Sequence, residues 1–321
     1  MDLFDGVSDG MQAVEMLLKE SLQGQDPAIS TVTDYLMAAS GKRMRPALVL
    51  IAGQFGQLTP ENQKRLVQVA AAVEMIHMAT LVHDDIIDEA PMRRGQPSVR
   101  QQFSNTIAVL AGDLLFAQAF RLFAASGLLE VVDVAAQVVH VMCVGEISQD
   151  LMSGQEAVEE ETYWNRIEAK TGYFLQASLR LGALATQVDA EVTRQLALYG
   201  FHVGRAFQVV DDLLDWTADP EKLGKAVGGD LASGVYTLPL IHTFDQPQYA
   251  ATLHQLLQGE DGHSAMAEIK ELLEQSGGFA YARAQALEHI TSAQNIAAAL
   301  PDVPAKKTLQ ALAEFILARD Y

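Results

Sequence analysis

Apolar residues recur at three- and four-residue spacing along nearly the whole chain, and alternating β-branched runs are few, so the pattern predicts an all-α protein. An early pair of helices is expected over roughly 9–22 and 28–39. Gly41-Lys42-Arg43-Met44-Arg45-Pro46 then breaks the pattern before another short helix. Thr59-Pro60-Glu61 reads as an N-cap followed by proline at the first helical position. From there one long helix is predicted to about Glu89, closed by Ala90-Pro91, with the basic segment from Met92 to Pro97 as a loop just beyond it. Further helices are predicted at roughly 105–125, 128–153, 162–186 and 190–217. A glycine-containing loop spans Lys222 to Val235, and helices resume after Thr237 and Pro239, broken at Gly277-Gly278 and Pro301. No low-complexity stretch or linker divides the chain, so one domain over residues 1–321 is expected.

Two of these helices carry nearly the same unusual segment. Leu81-Val82-His83-Asp84-Asp85-Ile86-Ile87-Asp88 and Gln208-Val209-Val210-Asp211-Asp212-Leu213-Leu214-Asp215 each set three carboxylates in an apolar run. Residues four apart share a helix face, so Asp84 lies over Asp88 and Asp211 over Asp215. Like charges at that spacing oppose the helix by roughly 0.2–0.5 kcal/mol per pair, which points to a bound cation at each place. Six acids are too many for one bare ion. Carboxylate oxygens suit magnesium, which commonly binds through a few acids plus substrate phosphates, so several magnesium ions bridged by a polyphosphate are expected.

Composition narrows the partners. The formal charge of −19 disfavours nucleic acid or an anionic membrane surface, because neither attracts a polyanion. Any anionic ligand must therefore meet a local concentration of basic groups. Candidates are Lys42, Arg43 and Arg45 in one loop, Arg93 and Arg94 in a second, Lys170 within a helix, and Lys222 and Lys225 in a third loop. The single cysteine, Cys143, excludes an internal disulfide; its apolar neighbours predict a packed core thiol. No secretory signal opens the chain and no run reads as a clean bilayer span, so a cytoplasmic protein without a transmembrane segment is expected.

The ordered set of motifs resembles the trans-isoprenyl diphosphate synthases, or polyprenyl synthetases, over roughly residues 38–245. It comprises Gly41-Lys42-Arg43-Met44-Arg45-Pro46; His77 seven residues before Asp84; Asp84-Asp85-Ile86-Ile87-Asp88 leading to Arg93-Arg94-Gly95; Gly112-Asp113; Lys170-Thr171; Phe207-Gln208 before Asp211-Asp212-Leu213-Leu214-Asp215; and Gly224-Lys225. The resemblance implies a single bundle of roughly 10–13 helices around a deep central cavity, the isoprenoid synthase fold. It implies that Asp84, Asp85, Asp88, Asp211, Asp212 and Asp215 hold magnesium on an allylic diphosphate, with Arg93, Lys170 and Lys225 on the same diphosphate. Lys42, Arg45, His77 and Arg94 would hold the second substrate, isopentenyl diphosphate. Lys170, Thr171 and Gln208 would lie beside the allylic cation formed on ionisation. A homodimer is implied, and some heptaprenyl synthases add a small accessory chain.

Product length is expected to depend on the helix just before Asp84. Thr80 lies one turn earlier on nearly the same face, and Ile76 and Val73 continue that side away from the acids. Short-chain relatives often carry a bulky aromatic where this chain has Ala79 or Thr80, so a deep tunnel and a medium- or long-chain product, centrally heptaprenyl, are expected. Gly234-Val235-Tyr236-Thr237-Leu238-Pro239 lacks the lysine of the short-chain pattern Gly-Lys-x-Thr-x-Pro, which removes one cation. The competing readings are a short-chain farnesyl or geranylgeranyl synthase, a class I terpene cyclase, and a non-catalytic regulatory subunit. The second Asp-Asp-x-x-Asp motif and Lys42, Arg45 and His77 count against a cyclase, and retention of all six aspartates counts against an inert subunit.

Overall fold

Thr59 and Pro60 start the longest element of the N-terminal half as the local chemistry requires. The Thr59 side chain accepts from the Asn62 amide at 3.3 Å, satisfying a donor that no helical carbonyl reaches. In this computed structural model, which describes residues 3–23, 27–38, 41–152, 159–217, 228–258 and 262–319, the chain forms helices α1 (Ser8–Leu22), α2 (Pro27–Ala38), α3 (Met44–Gly53) and α4 (Pro60–Ile87). A small antiparallel hairpin, β1 (Met92–Arg93) with β2 (Gln96–Pro97), replaces the loop expected after α4. Then follow α5 (Val99–Gln102), α6 (Asn105–Ala125), α7 (Leu129–Met152), α8 (Glu160–Ile167), α9 (Tyr173–Ala185) and α10 (Ala190–Thr217). The remainder is α11 (Gly229–Ala232), α12 (Leu238–Phe244), α13 (Pro247–Gln258), α14 (Gly262–Gln275), α15 (Gly278–Ala299) and α16 (Pro304–Leu317). Thirteen of these described helices have eight or more residues.

The single helix expected over 162–186 is interrupted. Between α8 and α9, Glu168–Gly172 form a π turn, a wider turn that often marks functional positions. Lys170 and Thr171 both lie on it.

The chain divides into two compact units. The first comprises Met1–Val139, Ala177–Ala197 and Leu300–Leu309. Its core is α4, packed by α6, α3 and α1; Val69, Val73, Met75, Ile76 and Ala79 are buried. Burial of a side chain such as Ile76 or Met75 contributes roughly 1.5–3 kcal/mol, which offsets the repulsion between the acids at the helix end. The second unit comprises His140–Gln176, Leu198–Ala299 and Gln310–Tyr321. Here α12 packs on α15, with α13, α14 and α8 also against it, and Trp216 meets Phe279 at 6.3 Å between ring centroids.

Two expectations are corrected. Cys143 is exposed, because α7 turns that side outward along with Val144 and Ile147; apolar neighbours in sequence do not determine which face of a helix is covered. By length and composition, α4, α6 and residues 129–151 of α7 are each long and apolar enough to cross a bilayer, where no such run was expected. The apolarity of α4 is largely that of the first unit's core.

Candidate active site

Each unit carries one aspartate motif with its own surroundings. In the first unit the motif sits at the C-terminal end of α4, and its three acids are in different environments. Asp84 is half-buried and Asp88 exposed at the helix end. Asp85 is buried and turned toward the hairpin, where Arg93 donates to its Oδ1 through Nε at 2.8 Å and Nη2 at 2.5 Å. A carboxylate with both bonds on one guanidinium is a charge-assisted anchor, so Asp85 fixes Arg93, while Asp84 and Asp88 lie nearer the surface at the end of the helix.

Behind these acids the basic residues gather. Arg43, in the left-handed conformation at φ 51°, reaches inward: its Nη1 donates to Glu74 at 2.6 Å and its Nε to Glu15 at 2.7 Å. Glu74 is a buried carboxylate in the apolar stretch of α4. Burial raises its pKa, and Arg43, Arg45 and Arg94 oppose that rise. Arg45 Nη1 lies 3.2 Å from His77 Nε2. Because arginine only donates, His77 accepts there and is neutral; burial first, and then Arg45, Arg94, Arg43 and Arg93, hold its pKa well below the ordinary value. Burial likewise lowers Arg45 to about 10. The Arg94 guanidinium packs directly on Gly41, where a Cβ would meet Arg94 Nη2 at 2.4 Å and push the guanidinium aside. Lys42 is exposed beside them. A pocket lies here, lined by Arg43, Glu74, Asp85, Arg93, Arg94 and Gln96 among others.

In the second unit the acids again differ. Asp211 Oδ1 accepts from Arg319 Nη1 at 2.7 Å. Asp215 Oδ2 accepts from the Asp230 amide at 3.1 Å, capping the turn into α11. Asp212 is buried; it accepts from Tyr163 at 2.8 Å and from Gln208 Nε2 at 2.9 Å, and burial pushes its pKa up to about 7. Thr171 donates to Gln208 Oε1 at 2.9 Å, and exposed Lys170 lies 3.7 Å from Glu146. Among the described residues no three His, Cys, Asp or Glu side chains converge as a preformed metal cage. The donor set, hard carboxylate oxygens at two helix ends, fits magnesium or calcium better than a soft metal.

Thus the structure brings Arg45, His77 and Arg94 together in the first unit, and Thr171 with Gln208 and Asp212 in the second. Lys225, like Lys222 and Gly224, lies outside the described residues. Ile76 and Ala79 are buried, and Thr80 is half-buried with its hydroxyl donating to the His77 carbonyl at 2.9 Å. The His83 ring packs on Gly112 of α6, where a Cβ would lie 2.1 Å from His83 Nε2 and displace the ring. Sequence reasoning assigned no role to Glu74, Tyr163 or Arg319. A lone acid within the apolar run from Ala70 to Met78 was the available signal for Glu74.

Residues 26–276 match the family model described as Polyprenyl synthetase. Heptaprenyl diphosphate synthase component 2 of Geobacillus stearothermophilus is 34% identical over 319 residues, covering 99% of this chain and 98% of the relative. The crystal structure of a decaprenyl diphosphate synthase from Rhodobacter capsulatus superposes with a TM-score of 0.91 at 31% identity, covering 99% of this chain and 98% of that one. A polyprenyl synthase from Caulobacter crescentus CB15, crystallised with calcium and isoprenyl diphosphate, gives 0.89 at 30% identity over 99% and 97%.

Proposed function

The chain belongs to the polyprenyl synthetase family, a family of trans-prenyltransferases, and on that premise we propose that it extends an allylic diphosphate with isopentenyl diphosphate, using magnesium, to a medium- or long-chain all-trans product, heptaprenyl in the central reading. The observation that carries this reading is the cluster around neutral His77: in a chain of charge −19, Arg43, Arg45, Arg93 and Arg94 are concentrated at one aspartate motif. Such a local concentration of guanidinium groups supports binding of a diphosphate there.

Lys42, Arg45, His77 and Arg94 hold isopentenyl diphosphate, with the His77 ring kept as acceptor by Arg45. Arg93, fixed by Asp85, and Lys170 and Lys225 hold the allylic diphosphate. Asp84, Asp88, Asp211 and Asp215, half-buried or exposed, are assigned to magnesium ahead of Asp85 and Asp212, which are buried and turned into the protein onto Arg93 and onto Tyr163 and Gln208. Magnesium, when bound, neutralises charge building on the leaving diphosphate. The allylic carbon–oxygen bond breaks with its electron pair on the diphosphate. The isopentenyl double bond attacks the cation, and a proton lost to the released diphosphate restores the alkene. Thr171 and Gln208 offer oxygen dipoles to the cation.

The chain is read as one domain over 1–321, cytoplasmic and homodimeric; the alternative of an accessory subunit is supported by the relative's designation as a component. Apolar residues exposed on α6, such as Ile107 and Leu110, and on α7, such as Ile147 and Leu151, support association through those helices. The purified chain, given farnesyl diphosphate, labelled isopentenyl diphosphate and magnesium, should yield labelled products of about seven isoprene units on sizing. A cyclic hydrocarbon, or no incorporation with and without an accessory chain, would overturn the reading.

A further inference from the structure

Four polar side chains of the second unit form a continuous chain that passes through the amide of Gln208. Tyr163, fully buried, donates to Asp212 Oδ2 at 2.8 Å. The other oxygen, Oδ1, accepts from Gln208 Nε2 at 2.9 Å, and Gln208 Oε1 accepts from Thr171 at 2.9 Å. The Gln208 amide turns its NH₂ to Asp212 and its carbonyl to Thr171, the arrangement in which the carboxylate accepts both of its hydrogen bonds.

Each end of the chain is itself held. The Arg166 guanidinium lies over the Tyr163 ring at 5.4 Å and donates to the Tyr236 carbonyl at 2.8 Å. Trp164 meets Tyr163 edge to face at 5.2 Å. On the other side, a Cβ on Gly204 would lie 2.6 Å from Gly172 Cα; with glycine at both positions the π turn closes onto α10 one turn before Gln208.

We infer that Tyr163 and Asp212 are positioning residues that hold the Gln208 amide carbonyl-forward, so that the negative end of its dipole faces the allylic cation. A flipped amide would present its NH₂ there and oppose the cation. The inference rests on the prenyl-transfer reading. Tyr163 touches no substrate in this account; it acts by holding Asp212, whose remaining oxygen orders the amide. Removing the hydroxyl frees the carboxylate to turn and releases Gln208.

The test is a double-mutant cycle in the full-length chain, with wild type, Y163F, Q208A and Y163F/Q208A. Turnover is measured with the KM of each diphosphate. Calorimetry then measures binding of two unreactive allylic diphosphate analogues, one with an ammonium nitrogen in place of the cationic carbon and one neutral. Y163F should lower kcat and weaken the ammonium analogue by roughly tenfold to a hundredfold, the range of a hydrogen bond to a charged group. KM values and the neutral analogue should stay within about twofold, and in the Q208A background the Y163F effect should shrink to less than about twofold. An equal loss for both analogues, or a Y163F penalty that persists undiminished beside Q208A, overturns the inference. If Y163F does not fold, D212N replaces it in the same cycle, and the same two results overturn the inference. Wild-type elongation is scored separately: its absence, with neither analogue bound, removes the prenyl-transfer reading and this inference together, whereas elongation with an additive cycle removes only the inference.

Discussion

Arg319, near the end of the chain, donates to Asp211 Oδ1 at 2.7 Å while its guanidinium lies over the Phe207 ring at 4.6 Å. A guanidinium and a divalent cation compete for that oxygen. The variant R319A should therefore bind magnesium with inorganic diphosphate more tightly, by roughly two- to fivefold given the modest worth of a partly exposed pair. Calorimetric titration with magnesium in the presence of diphosphate checks this. Weaker binding would mean that Arg319 contributes to anion binding instead of competing with the metal.

Replacing Asp84 or Asp211 by alanine should reduce turnover by roughly a thousandfold or more, because each removes a hard oxygen donor from the leaving-group site. Far-UV circular dichroism should remain that of the wild type. Near-normal turnover in either variant would refute the metal assignment.

Glu74 accepts from Arg43 and feels the charges of Arg45 and Arg94, and its removal leaves a buried guanidinium with fewer counter-charges. Glu74→Ala should cost about 3 kcal/mol in urea unfolding, at the lower end for breaking a buried pair because Glu15 also holds Arg43. A loss below about 1 kcal/mol would show that Glu15 alone suffices.

Thr80→Phe should shorten the product by one or more isoprene units, since it adds a ring on the side of α4 along which the growing chain is proposed to run. Chromatographic sizing of products from the same starter decides this. An unchanged distribution would place the length limit elsewhere.

His202 and His289 approach at 2.9 Å between their Nδ1 atoms. Burial, then Arg205 and His202, lower His289 to about 4, and burial lowers His202. A base with a depressed folded pKa costs stability wherever the unfolded chain takes up a proton that the folded chain refuses. Thermal stability should therefore fall as pH drops from about 6.5 toward 4. In His289→Gln that part of the decline should flatten. An unaltered pH profile of the melting temperature would refute the assignment.

Most of the helical frame was readable because its signals are local. Thr59-Pro60 at the start of α4, the three- and four-residue spacing, and the paired aspartates all act within a turn or two. The different surroundings of Asp84 and Asp85 were not readable. That difference depends on Arg93, eight residues further on and brought back by the hairpin. Likewise the π turn at Glu168–Gly172 keeps an apolar rhythm close to that of an α-helix, so periodicity alone gave one unbroken helix. Cys143 was misjudged because apolar neighbours in sequence cannot say whether a helix face is covered. The Tyr163–Asp212 bond joins residues 49 apart, beyond the reach of any spacing rule.

Gly200, Gly204, Gln208 and Asp212 follow one another at intervals of four along α10. At the first two, an added Cβ would fall 2.8 Å from Gln176 Cα and 2.6 Å from Gly172 Cα; at the last two, side chains meet Thr171 and Tyr163. The helix thus works as a ruler, setting by bare backbone contact where its polar marks fall. One residue is 1.5 Å and about 100° of rotation, so a single insertion or deletion within Glu168–Gly172 would carry Thr171 past its mark even if every side chain named above were kept.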